Sequence, residues 1–264
     1  MSEQDTFMSH LIELRQRLVR AVFAVLAVFV VLFIWPGSGP IYDWLAQPLM
    51  RALPEGAKMI ATGVVTPFLV PMKVTAMVAL FIALPYVLYQ VWAFVAPGLY
   101  EHERKLALPL IIGSTVLFFM GVAFCYYFVF VRVFHFIHQF APKSITPAPD
   151  IEAYFSFVIT MFIAFGLTFE IPIFVIILVR MGIVDVDKLR DARPYVIVGA
   201  FVVAAVVTPP DVISQVMLAV PMCLLYETGL FFARFVAARA KEAQAGEEQM
   251  SDEQMEHELD RADR

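Results

Sequence analysis

The chain has 264 residues, of which 61% are hydrophobic and 25 are Phe, with a mean hydropathy of +0.77. Apolar content this high excludes an ordinary soluble domain, and repeated apolar runs mark a polytopic all-α membrane protein. The alternating ten-residue segments of a closed β-barrel do not occur. The net charge of −5 arises in the tail from Lys241 onward, where nine acids face three bases. The rest of the chain is balanced, so its acidity points to no class of partner, and nucleic-acid binding has no support.

In chain order, residues 5–20 read as a short amphipathic helix with Phe7, Leu11, Leu14 and Leu18 on one face. Glu13 and Arg17 are spaced as an i,i+4 ion pair in the favourable order. The first twelve residues are polar and acidic, so no cleavable signal peptide is expected. A first span covers about 19–35 and stops at Pro36-Gly-Ser-Gly-Pro40. Residues 41–72 read as a long proline-rich loop lying at the interface. Further spans are expected at about 74–95, 106–131, 154–178, 195–208 and 212–235. The fifth holds only 14 residues, about 21 Å as a helix, so it must thin the bilayer or be shielded by protein. Together residues 1–240 form a six-span core, and 241–264 read as a disordered acidic tail.

The span around Phe169-Glu-Ile-Pro172 sets Glu170 inside a long apolar run. A carboxyl there is costly and needs burial in protein or a partner, and burial favours its protonated, hydrogen-bonding form. Pro172 removes a backbone donor and should kink the helix. On its own Glu170 reads as a structural acid that draws in water, or as a proton relay.

Lys and Arg set the orientation. The amino terminus, the 97–105 turn, the 180–193 loop and the tail hold 14 of the 19 basic residues, which places both termini in the cytoplasm. There is no Walker-type phosphate loop, no nucleophile elbow and no metal-spaced His/Cys set, so no catalytic residue, metal or cofactor is expected. Cys125 and Cys223 both fall in apolar spans and read as packed thiols. Glu13, Glu101 and Glu103 present carboxylates on the cytoplasmic side. They suit an arginine-bearing ligand, or are ordinary solvated helix-end charges.

Five motifs then share a resemblance. His10-Leu-Ile-Glu-Leu-Arg-Gln-Arg-Leu18, the run from Tyr89 through Pro97-Gly98 to Arg104, Phe169-Glu-Ile-Pro172, Arg193-Pro-Tyr195 and Thr208-Pro-Pro-Asp-Val212 resemble, in order, the motifs of the TatC family. That family is the polytopic subunit of the twin-arginine protein translocase. The match runs from about residue 5 to 236.

The resemblance implies a concave, glove-like bundle in the bacterial cytoplasmic membrane, with short fifth and sixth spans. It implies a receptor for twin-arginine signal peptides of folded precursors, driven by the proton motive force. The arginine pair would meet Glu13 and Glu103, with Arg17 orienting the acids and Phe94 forming an apolar wall. Glu170, Thr208 and Gln215 would form a polar patch for single-span partner subunits of the TatA and TatB type. Pro48 would support assembly and self-association, Pro172 would shape the kinked span, and Asp211 would close the external hairpin. A proton-coupled secondary transporter using Glu170 is the alternative, although the inverted repeats of such proteins are not visible here.

Overall fold

The computed structural model describes residues 3–52, 59–95, 104–133, 149–208 and 211–262. Helix α1 spans Glu3–Ile34 without interruption, because no Pro or Gly falls inside it. It ends at Trp35-Pro36-Gly37, where Gly37 turns the chain at φ 95° and its N–H returns to the Leu32 carbonyl at 3.0 Å. Most of α1 is exposed, as suits a helix bathed in lipid, and its packed side lies along the third helix.

The described parts of 41–72 are more ordered than their prolines suggest. Helix α2 covers Ser38–Ala52 and α3 covers Thr66–Val95, so the second apolar helix starts eight residues before the expected 74. Pro67 falls in the first turn of α3, where its missing N–H costs nothing. Pro71 is also accommodated, and its carbonyl accepts from the Thr75 hydroxyl at 2.8 Å. Along α3 the residues Val70, Val74, Met77, Leu84 and Leu88 recur at spacings of four, three, seven and four residues, one helix face, and are all buried. Trp92 continues that buried set.

Helix α4 covers Arg104–Phe124 and passes through a π-helical turn at Cys125–Val129, where the Phe130 N–H reaches back to the Cys125 carbonyl. The extra residue in that turn rotates the buried face, and both Cys125 and Val129 are fully enclosed. Helix α5, Ile151–Phe169, and helix α6, Ile171–Arg180, form one apolar stretch broken at Glu170. Pro172 in the first turn of α6 accounts for the break, since it can offer no N–H to the Thr168 carbonyl. A short α7, Val186–Asp191, leads to the apolar α8, Arg193–Val207, which has 15 residues.

Helix α9 then runs from Val212 to Ala262. Beyond residue 241 the backbone continues as helix. That stretch lacks Pro and is rich in Ala, Glu, Gln, Lys and Met, all strong helix formers, so propensity can sustain the helix without apolar packing.

Among the described residues the protein is all-helical, and five helices are long and apolar enough to cross a membrane, with α8 a shorter sixth. The neighbouring pairs are α1 with α3, α4 with α5, α6 with α9, and α8 with α9. The central core gathers Phe155, Met161, Phe165, Val129 and Leu218. A second core holds Leu84, Leu88, Trp92, Phe118 and Ile177.

At the end where α3 and α5 begin, a short clasp joins the loop before α3 to the start of α5. The Ile60 N–H donates to the Pro149 carbonyl at 3.0 Å, and the Ile151 N–H donates to Ile60 at 2.9 Å. Asp150 caps α5 by accepting from the Glu152 and Ala153 amides, and its other oxygen accepts from the Thr62 hydroxyl at 2.7 Å and the Thr62 amide at 3.1 Å. Lys73 reaches Glu152 at 2.8 Å in the same cluster.

Candidate functional sites of the bundle

The first candidate site lies on α1. Arg17 grips one oxygen of Glu13 twice, with Nε at 2.8 Å and a terminal nitrogen at 2.6 Å, both to Oε1. The pair is half-buried, and the i,i+4 spacing on a continuous helix produces it directly. Among the described residues Oε2 of Glu13 has no partner, so the carboxylate is oriented and keeps one oxygen for a second cation. Phe94 lies one residue before the end of α3 and is half-buried. Glu103, with Glu101, falls outside the described residues.

The second site surrounds Glu170. The break between α5 and α6 turns its carboxyl inward, where it is 9% exposed. The Ser114 hydroxyl of α4 donates to Glu170 Oε2, and the Trp92 indole N–H of α3 donates to Ser114 Oγ at 2.8 Å. Three helices therefore converge on a buried polar chain, with Ser114 fully enclosed and Trp92 4% exposed. Among the described residues Glu170 Oε1 is buried without a hydrogen-bond partner.

Thr208 and Gln215 do not join this chain. The Thr208 hydroxyl donates to the Ala204 carbonyl at 2.8 Å, and the Gln215 amide donates to the Phe201 carbonyl at 3.3 Å. Both bonds stay within the α8–α9 hairpin. The groups hydrogen-bonded in the chain to Glu170 are Ser114 and Trp92. Neither stands out in sequence, because a lone Ser and Trp in apolar helices read as packing. Asp211 caps the start of α9, its Oδ1 accepting from the Ser214 amide at 2.6 Å. Pro172 is buried against α9, and Pro48 lies within α2.

This is a multi-pass helical membrane protein whose buried acid is held by hydrogen bonds across helices, and a metal-binding group is absent among the described residues. The family model for the Sec-independent protein translocase protein (TatC) matches residues 9–221. The chain is 50% identical over 242 residues to the TatC protein of Haemophilus influenzae, spanning 92% of this chain and 94% of that one. It is 47% identical to the Escherichia coli K12 protein over 243 residues, 91% and 93% of the two chains. A crystal structure of the twin arginine translocase receptor TatC superposes with a TM-score of 0.76 at 34% identity, covering 86% of this chain and 99% of that one. The chain belongs to the TatC family, a family of protein-translocase components and not of enzymes.

Proposed function

We propose that this protein is the receptor subunit of a twin-arginine translocase, capturing the arginine pair of precursor signal peptides at the cytoplasmic face. The similarity to the solved receptor over nearly all of that chain carries the reading. The geometry of Glu13 supports it, since Arg17 fixes one carboxylate oxygen and leaves the other for an incoming guanidinium. In this reading Glu103 supplies the second carboxylate, and Phe94 supplies an apolar wall beside it. Folded precursors are then passed across the membrane by the proton motive force.

The same reading counts α8 as a sixth span, puts both termini in the cytoplasm and locates the protein in the bacterial inner membrane. The basic residues at the amino terminus and in the 180–193 loop support that orientation. Single-span subunits of the TatA and TatB type dock against the bundle near Glu170, with Thr208 and Gln215 offering a separate polar edge on the hairpin. Pro48 and the α2 region serve self-association.

Site-specific crosslinking of a twin-arginine precursor to membranes tests this. Crosslinking that needs both signal arginines and falls on Glu13→Ala or Glu103→Ala is expected. Equal crosslinking to all variants would remove the two acids from the site.

A further inference from the structure

We propose that Trp92 and Ser114 are positioning residues for Glu170, holding its carboxyl so that Oε1 alone is left to hydrogen-bond with a polar side chain on an apolar partner helix. The proposal rests on the reading of Glu170 as a docking group.

The direction of the chain follows from hydrogen-bonding capacity. An indole N–H can only donate, so Trp92 must fill a lone pair of Ser114. Ser114 has one proton, and its geometry commits that proton to Glu170 Oε2. Each group in the chain is nine-tenths or more buried, so water does not compete for these bonds. What remains is Oε1, buried and unpartnered, at the one point where the α5–α6 stretch is broken. A buried polar atom left without a partner is costly, and that cost is relieved when a ligand supplies the missing bond.

The three groups come from three helices, so the carboxyl is fixed by tertiary packing and not by its own turn. Trp92 also lies two residues before Phe94 on α3, so both sites of the receptor reading share one helix. A partner matching Oε1 is an apolar helix bearing one uncharged polar side chain able to hydrogen-bond, since a charged group would enter the bundle at great cost.

The test uses the full chain in membranes with its partner subunits. Trp92→Phe removes the N–H and keeps the ring, Ser114→Ala removes the hydroxyl, and Ser114→Thr retains it. Two readouts are taken: the infrared carboxyl band of Glu170, assigned by its loss in Glu170→Gln, and partner crosslinking from a probe beside Glu170. The band is expected to shift in Trp92→Phe and Ser114→Ala and to stay in place in Ser114→Thr. Partner crosslinking is expected to fall about two- to tenfold in the first two variants, the worth of one hydrogen bond. Precursor binding at the cytoplasmic face should not change. An unmoved band in both variants would overturn the proposal, as would a shifted band in Ser114→Thr equal to that in Ser114→Ala. A shifted band with partner crosslinking unchanged even in Glu170→Gln would uphold the positioning role and overturn the docking reading.

Discussion

Gly229 of α9 lies against Pro172 so closely that a Cβ at residue 229 would stand 2.9 Å from the proline Cα. Val175 Cβ would be 3.1 Å away, so the obstruction is mostly backbone and cannot rotate aside. The contact lets α6 and α9 approach at the turn beside Glu170, as small residues do between membrane helices. Gly229→Ala should therefore cost about 1–3 kcal/mol. Thermal unfolding in detergent checks this; an unchanged midpoint would show that the helices part at no cost.

Gly166 on α5 faces the ring of Phe118 on α4, and a methyl group there would overlap the ring edge. Phe118 is 3% exposed and sits edge-on to Phe81 at 5.7 Å, so the ring has no free space to enter. Gly166→Ala should destabilise by about 1–3 kcal/mol, and adding Phe118→Leu should recover part of that loss. Additive effects in the double variant would mean that the two residues do not share this space.

Much of this architecture is legible in the sequence, since each long helix is an apolar run bounded by Pro, Gly or charge. The start of α3 is not, because Pro67 and Pro71 read as breakers, whereas Pro67 falls in the first turn, where a proline breaks nothing, and Pro71 is accommodated inside the helix. In the tail two signals compete: its charge points toward disorder, while its Ala, Glu and Gln content favours the helix that the backbone follows. At the acid site, Glu170 was visible as a carboxyl in an apolar run, but its partners were not. Trp92 and Ser114 lie 78 and 56 residues before it, and helix packing alone brings them together. The Glu13–Arg17 pair needed no such packing, being local to one helix turn.

The clasp at Asp150 should respond to acid. The Ala153 amide, followed by the Thr62 hydroxyl and amide, donates to this carboxylate and holds its pKa below the ordinary value. The folded state thus binds the proton less readily than the unfolded chain does. Its stabilising effect is complete above about pH 4, the usual aspartate range, and is lost as pH falls through the lowered folded value. Hydrogen-exchange protection at the Thr62 and Ala153 amides should drop in that acid window. Asp150→Asn should abolish the pH dependence, and persistence of it would assign the effect to another group.

Arg193, which opens α8, donates to Glu227 of α9 at 2.5 Å. Both side chains are more than a third exposed, so water and salt weaken the pair. Glu227→Gln should cost less than about 1 kcal/mol and leave precursor binding unchanged. A large loss of stability, measured by unfolding in detergent, would reveal a role beyond this ion pair.

The receptor reading is tested most directly by equilibrium binding of a fluorescent twin-arginine signal peptide to membranes carrying the full chain. Wild type should bind at least about tenfold more tightly than Glu13→Gln, as expected when a guanidinium loses a charged partner. A peptide with both arginines changed to lysine should bind weakly to wild type and gain little or nothing from restoring Glu13. Equal affinity of both peptides for both proteins would contradict the account, because the carboxylate that Arg17 orients would then have no part in recognising the arginine pair.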